Sequence, residues 1–463
     1  MSQTTGTRFL RSTVASYLSL GTRLVIRFAS RMVLARLVLP EAHGLYELAL
    51  RLVILASALR DLGLNFHLMR DPRKPYGTVL AFSAVVGVLV TGGLLLLSPA
   101  SAALDPNLPP VLRALSLWVL LDGLAGVPKI FFERELRIGR IALPEVARGV
   151  VMAAVSILLA WHGWGVWSFV VGELAAAALF ALLVWVRAWG SMPLVVDWRL
   201  VPGLLAQSRW LFSIWIVLQL VEYIDIYVIQ GVTLETATVG YYTKAYELAL
   251  LIPAIVFPRA LLPALVEVRH DPHRFLSAFR FGTLFLLVFQ VVAGYFLFFY
   301  ADMVVRVYAG PGWEPTVPIL RILCFVPFLD VFKELGGEIL KVRHQDRAWL
   351  AVALVNLLCL LVFGSLFTAL WGARGMAFAN LLLLGNYLMA RRMARIFGSG
   401  FWLLARDLVF VYLIPLPCFL ASTWIAPAET WAGLGAGIGA ALMALALLSR
   451  LYWKPFRRFL AER

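Results

Sequence analysis

Charge is what this 463-residue chain has little of. Only 14% of its residues are Asp, Glu, Lys or Arg, against about 25% in soluble domains. A water-facing surface of ordinary density cannot be built from that, so a soluble globular protein is excluded. Acid is scarcer than base: 26 Asp and Glu stand against 41 Lys and Arg, a formal net charge of +15. Cysteine occurs three times and histidine six. Cys324, Cys359 and Cys418 lie in apolar stretches at unrelated spacings, which argues against a disulfide framework and against a metal site. Neither a metal nor a cofactor is expected. No soluble domain fits between the apolar runs, whose longest connection is 188–209. Asp105, Glu314 and Glu429 stand alone in short loops and read as solvated charges rather than as a catalytic set.

What the chain has in excess is apolar length. Hydrophobic residues make up 62% of it, and the mean hydropathy is +0.86. The pattern predicts spans over 15–37, 45–66, 77–98, 111–132, 142–161, 165–187, 210–231, 241–265, 279–300, 317–339, 349–370, 375–392, 406–425 and 432–453. Each is long enough, at roughly 18–25 residues, to cross a hydrocarbon core of about 30 Å as a helix. Alternate connections hold the basic residues: Arg70, Arg73 and Lys74, then Lys129, Arg134, Arg137 and Arg140, and so on to Lys454, Arg457 and Arg458. About 26 basic residues fall on that side against about two, Arg306 and Arg374, on the other. Cytoplasmic loops retain Lys and Arg, so both termini are expected inside a bacterial cytoplasmic membrane. This dispersal accounts for the net charge without nucleic acid as a partner. Arg23, Arg27 and Arg31 interrupt the first apolar run, which argues against a cleaved signal peptide. Trp198, Leu200, Leu204 and Leu205 beside Asp197, Arg199 and Arg209 suggest a short amphipathic helix in the 188–209 connection.

The chain also repeats itself. Residues 37–46 read Leu-Val-Leu-Pro-Glu-Ala-His-Gly-Leu-Tyr, and 232–242 read Val-Thr-Leu-Glu-Thr-Ala-Thr-Val-Gly-Tyr-Tyr. Gly44-Leu45-Tyr46 thus aligns with Gly240-Tyr241-Tyr242 at an offset of 196. Six spans overlay the next six with matching loop signs. The expected architecture is all-α and polytopic, with about 14 transmembrane helices: two six-helix repeats forming a central cavity, plus a C-terminal pair. Its boundaries are a lobe over 1–187, a cytoplasmic linker over 188–209, a second lobe over 210–400, and the last pair with a basic tail over 401–463. Repeat-built transporters place substrate between their halves near the midplane.

The Gly-aromatic turn after a polar first span resembles the repeated signature of the multidrug/oligosaccharidyl-lipid/polysaccharide superfamily. The stretch Phe131-Phe132-Glu133-Arg134-Glu135-Leu136-Arg137-Ile138-Gly139-Arg140-Ile141-Ala142-Leu143-Pro144-Glu145 is similar to the connection between the fourth and fifth helices of polysaccharide exporters. So is the Gly163-Trp164-Gly165-Val166-Trp167 hairpin. The resemblance covers roughly 10–400 and implies a flippase, not an enzyme, that carries a polyprenyl-pyrophosphate-linked oligosaccharide to the outer leaflet. It implies membrane lipids and the polysaccharide polymerase or chain-length and export machinery as partners. A drug or cation exporter of the same superfamily is the alternative, as is an integral-membrane glycan polymerase or ligase. A peptidoglycan-precursor flippase is a close relative.

A pyrophosphate in transit needs polar walls, because unpaired polar groups in the membrane cost several kcal/mol each. Arg23, Arg27 and Arg31 recur every four residues, along one helical face, and Arg51 follows in the next span. Each would cost about 2.5–3.5 kcal/mol at a helix centre, so they should face the bundle interior or a water-filled cavity. The planar guanidinium fork suits phosphate, which makes these four the expected substrate-binding residues. Glu222 and Asp225 in span seven, with Lys244 and Glu247 opening span eight, are the candidates for a coupling ion or a gate. The shifted repeat sets Arg27 opposite Glu222. Pro253, Pro258 and Pro263 are hinge candidates in span eight, since each removes a backbone donor. Asp330 lies deep in span ten with no assigned role.

Overall fold

The computed structural model describes residues 5–69, 71, 73–135, 137–251, 271–343 and 345–461. These residues form helices and turns, with no β-strand among them. Contacts divide the chain into two compact units, Met1–Tyr223 with Leu234–Gly240, and Ile224–Thr233 with Tyr241–Arg463.

The first unit is built from long rods. They are α1 (Thr5–Leu37), α2 (Pro40–Asp61), the single-turn α3 (Leu64–Leu68), α4 (Tyr76–Leu97), α5 (Leu108–Arg134), α6 (Gly139–Trp161), α7 (Val166–Ala188) and most of α8 (Val201–Thr233). Pro40 starts α2 directly after the α1 turn; its missing N–H and fixed φ suit a first helical turn. Tyr76, Phe131, Phe132, Ile141, Phe180 and Val184 pack into an apolar core on α4 to α7.

The second unit is more broken. It holds the rest of α8 and most of α9 (Thr236–Ala249), then α10 (Pro272–Phe299), α11 (Ala301–Tyr308), α12 (Thr316–Leu323) and α13 (Val326–Val342). Next come α14 (Asp346–Cys359), α15 (Ser365–Trp371), α16 (Ala373–Leu381), α17 (Leu384–Phe397), α18 (Ser399–Leu413), α19 (Pro415–Ile425) and α20 (Trp431–Ala461). A π-helical turn over Leu360–Gly364 joins α14 to α15. The last spans are part of this unit's core: Phe419, Ala444 and Leu448 pack with Phe279, Leu287 and Met389.

Ten helical stretches among the described residues are long and apolar enough to cross a membrane, so this is a multi-pass membrane protein. The expected spans outside those ten have visible reasons. The first, α1, carries Arg23, Arg27, Arg31 and Arg36. The tenth breaks into α12 and α13 around Cys324 and Phe325, and the twelfth into α16 and α17 around Leu382 and Leu383. The eighth runs past α9 beyond the described residues, where Pro253, Pro258 and Pro263 also lie. Exposed tryptophans mark the span ends: Trp161, Trp164, Trp371, Trp424 and Trp431 at connections the charge bias assigns outside, Trp189, Trp198 and Trp402 at those assigned inside. That is the distribution of interfacial aromatic belts.

The 188–209 connection differs from expectation. It is not a separate surface helix. Residues 193–197 carry no regular structure, and the Asp197 amide donates to Thr78 Oγ1 at 2.9 Å, holding the segment on the start of α4. The Asp197 carboxylate accepts from the Arg199 amide at 3.0 Å and starts a turn at Trp198–Leu200. With Pro202 tolerated in the first helical turn, nothing interrupts the helix, and the amphipathic stretch becomes the opening of the 33-residue α8.

Candidate functional site

In the first unit the expected arginines are all on α1 and α2, in different settings. Arg23 pairs with Glu145 of α6 at 2.9 Å, and Glu145 also meets Lys129 of α5 at 3.4 Å. Arg51 donates to Glu47 at 3.1 Å, and its guanidinium lies 4.6 Å from the centre of the Tyr223 ring. Arg27 is exposed and Arg31 half-buried on α1. Glu222 is exposed, with no hydrogen bond or ion pair among the described residues, so the Arg27–Glu222 pair suggested by the repeat is not formed.

A larger charged network lies beside them that the sequence reading did not single out. Arg60, 3% exposed, donates to both oxygens of Asp61 at 2.9 and 2.8 Å, to Asp122 at 3.2 Å and to the Val119 carbonyl at 2.6 Å. Gly87 of α4 and Gly123 of α5 leave the room its stem occupies; a Cβ on Gly123 would lie 2.9 Å from Arg60 Cδ. Asp122 continues to Arg148 at 3.9 Å, and Arg148 donates to Glu173 at 2.9 Å. Glu173 also accepts from the Trp118 indole at 3.0 Å. Helices α2, α5, α6 and α7 are thereby tied by charge. The available signal was that each of these residues is an ionisable group inside an apolar span.

The repeated glycines meet. A Cβ on Gly44 would collide with the Thr236 carbonyl oxygen, and one on Gly240 with the Pro40 carbonyl oxygen. Each glycine thus sits against the carbonyl four residues before its counterpart, so the repeat is a local two-fold relation in space. The Thr236 hydroxyl donates to Asp105 beside this contact. Asp105 is therefore not a solvated loop charge: it is buried, because its loop folds back over the start of α9.

In the second unit Asp225, 4% exposed, accepts from the Tyr242 hydroxyl at 2.7 Å, and Tyr242 accepts from the Asn380 amide at 3.0 Å. Span seven, span eight and span twelve thus share one buried acid. Lys244 is buried against the rings of Tyr308 and Trp313, 5.6 and 5.5 Å from their centres, and pairs with Glu247 at 3.2 Å. Glu247 also accepts from Tyr308 at 3.0 Å, which makes this a clamp on α11 and the following loop. Asp330 has a setting too. It pairs with Lys333 at 3.0 Å and accepts from Asn386 at 3.0 Å, while Asn386 accepts from Asn356 at 3.1 Å. Arg280 of α10 pairs with Asp407 of α18. Outside the spans, the hydrogen bonds that Arg73 donates to the Asp71 carboxylate, and then that carboxylate's charge, raise the pKa of the Arg73 guanidinium above the ordinary value. Among the described residues no group of three or more His, Cys, Asp or Glu could hold a metal ion.

An all-helical chain that crosses the membrane many times, with arginines and carboxylates inside its spans, is the class these observations define. Residues 33–318 match the family model described as polysaccharide biosynthesis protein, and the chain belongs to that family. Similar proteins include the lipopolysaccharide biosynthesis protein WzxC of Escherichia coli strain K12, 22% identical over 72% of this chain and 69% of that one. The succinoglycan biosynthesis transport protein ExoT of Rhizobium meliloti strain 1021 is also 22% identical, over 66% of this chain and 65% of its own length. The fold is similar to that of the lipid II flippase MurJ in an inward closed conformation, with a TM-score of 0.76 at 13% identity, covering 96% of this chain and 99% of that one.

Proposed function

We propose that this protein is a flippase that moves a polyprenyl-pyrophosphate-linked oligosaccharide from the cytoplasmic to the outer leaflet of the bacterial cytoplasmic membrane by alternating access. It acts without chemistry on the glycan, with both termini in the cytoplasm, and hands its cargo to polymerase and export machinery. The repeat supports two six-helix lobes, 1–187 and 210–400, with the pair over 401–463 as an addition. The observation that carries the reading is the arginine face of α1 with Arg51, set in a chain of a polysaccharide biosynthesis family. Four guanidinium groups on two adjacent spans suit a doubly charged pyrophosphate and would repel a cationic drug.

In this scheme Arg27 and Arg31 engage the pyrophosphate directly. Arg23 and Arg51 exchange Glu145 and Glu47 for it as it arrives. Asp225 is the coupling position: a buried carboxylate that accepts from the Tyr242 hydroxyl, itself held by the Asn380 amide, is placed to gain or lose a cation. Arg27→Ala and Arg31→Ala should abolish glycan export while the protein stays inserted and expressed. Lys at either position should rescue part of the activity, because an ammonium keeps the charge and loses the fork. Export at the wild-type rate from both Ala variants would overturn the pyrophosphate assignment. Asp225→Asn should remove the dependence of turnover on the coupling gradient in proteoliposomes; an unchanged dependence removes Asp225 from the coupling role.

A further inference from the structure

The first unit has a cavity of about 270 Å³ where the α1–α2 turn meets the starts of α5 and α7. Its floor includes the buried side chains of Leu45 and Val111; exposed Glu41, Asn107, Pro110 and Trp167 also line it. That volume is just below the range of about 300–1,000 Å³ for small-ligand sites, room for one compact unit rather than a chain. The polar groups are few and uncommitted. Neither the Glu41 carboxylate, the Asn107 side-chain amide nor the Trp167 indole N–H makes a hydrogen bond among the described residues. The cavity adjoins the Gly44 contact, since Ala42 and Leu45 line it on either side of His43 and Gly44.

We propose that this cavity binds a sugar unit of the translocated glycan on the outer side of the membrane, with Trp167 as the stacking face and Glu41 and Asn107 as partners for its hydroxyls. The proposal rests on the flippase reading and adds to it a site for the uncharged end of the cargo. A sugar ring offers an apolar C–H face and a rim of hydroxyls, which calls for an aromatic plane beside a few convergent acceptors and donors. The charge in the cavity decides against other occupants. Glu41 is the one ionisable side chain that lines it, and no cationic side chain is there to pair the phosphate of a pyrophosphate or of an anionic headgroup. A hydrocarbon tail would bury that carboxylate without a partner, at a cost a hydroxyl-bearing ligand avoids. Trp161 and Trp164 on the same hairpin are exposed and do not line the cavity. They serve as interfacial tryptophans and as internal controls.

The test uses the full-length protein in a strain deleted for it and complemented from a plasmid, with membrane levels of every variant matched by immunoblot. Surface polysaccharide and accumulated lipid-linked intermediate are both measured. Trp167→Ala should cut surface polysaccharide about tenfold and raise the intermediate, the size expected when one well-placed ring is lost. Trp167→Phe should restore most export, Trp167→Leu should not, and Trp164→Ala should match the wild type. Glu41→Gln, which keeps hydrogen bonding, should export better than Glu41→Leu. Wild-type export from Trp167→Ala and Glu41→Leu overturns the sugar site and leaves the flippase reading intact. So does equal rescue by Leu and Phe, which would reduce Trp167 to packing, and so does equal loss in the Trp164 and Trp167 variants. Unchanged surface polysaccharide in the deletion strain overturns the flippase reading, and the sugar site with it.

Discussion

In the N-terminal unit, helices are tied to one another by full charges. Arg60 and Arg148 share Asp122, and between them they also engage Asp61 and Glu173, so four spans are joined through ion pairs. In the C-terminal unit two of the ion pairs are local, Lys244 with Glu247 and Lys333 with Asp330, each three residues apart on one helix. There the links between helices run partly through neutral groups: Tyr242 and Asn380 around Asp225, Asn356 and Asn386 toward Asp330. Arg280 with Asp407, and Arg321 of α12 with Asp302 of α11, are ion pairs that join helices there. Backbone continuity differs in the same sense, with long rods in the first unit and breaks near Cys324, Leu382 and Ile414, plus a π-turn at Leu360–Gly364, in the second. Removing one partner of a buried ion pair costs about 3–5 kcal/mol, whereas a neutral hydrogen bond contributes about 1 kcal/mol net. Among the contacts described, the first unit's helices are therefore joined mainly by charge, and the second's by charge and neutral hydrogen bonds together.

The comparison can be broken most directly at Arg60. Arg60→Ala should lower stability by about 3–5 kcal/mol, because Asp61 and Asp122 lose a buried counter-charge. Thermal unfolding of the purified protein in detergent measures this, and a wild-type midpoint would show that the charged frame is not what holds the unit. Tyr242→Phe removes the donor to Asp225 and should cost less, about 1.5–3 kcal/mol, the range for hydrogen bonds to charged groups. A loss as large as that at Arg60 would erase the contrast between the units. Gly44→Ala and Gly240→Ala should each cost about 1–3 kcal/mol through overpacking, and by similar amounts, since each methyl meets the equivalent carbonyl. Unequal losses would show that the two-fold relation is only approximate in energy. The smallest effect is expected from Asn356→Leu, about 0.5–1.5 kcal/mol for one neutral bond. Unfolding midpoints rank all four on one scale.

Much of the fold was legible in the sequence because burial in a membrane is a local property. A window of apolar residues is a span whatever its neighbours do, and basic loops orient it without reference to packing. That is why the all-α, many-span architecture follows from hydropathy alone, and why the Gly44 and Gly240 turns could be aligned at an offset of 196. The candidate site was only partly legible. Helical spacing put Arg23, Arg27 and Arg31 on one face, yet Arg23 turns to Glu145, a partner more than a hundred residues away. Asp105 looked like a loop charge until Thr236 was found against it. The convergence of Arg60, Asp122, Arg148 and Glu173 depends on how far each helix is rotated and how deep it sits, and no local pattern states either quantity. Sequence by itself determined that the chain is all-α and crosses the membrane many times, because those properties follow from residue-by-residue transfer energies. Tertiary structure alone decided which charges neutralise which, and which glycine meets which carbonyl, because pairing is a property of two surfaces brought to a fixed distance.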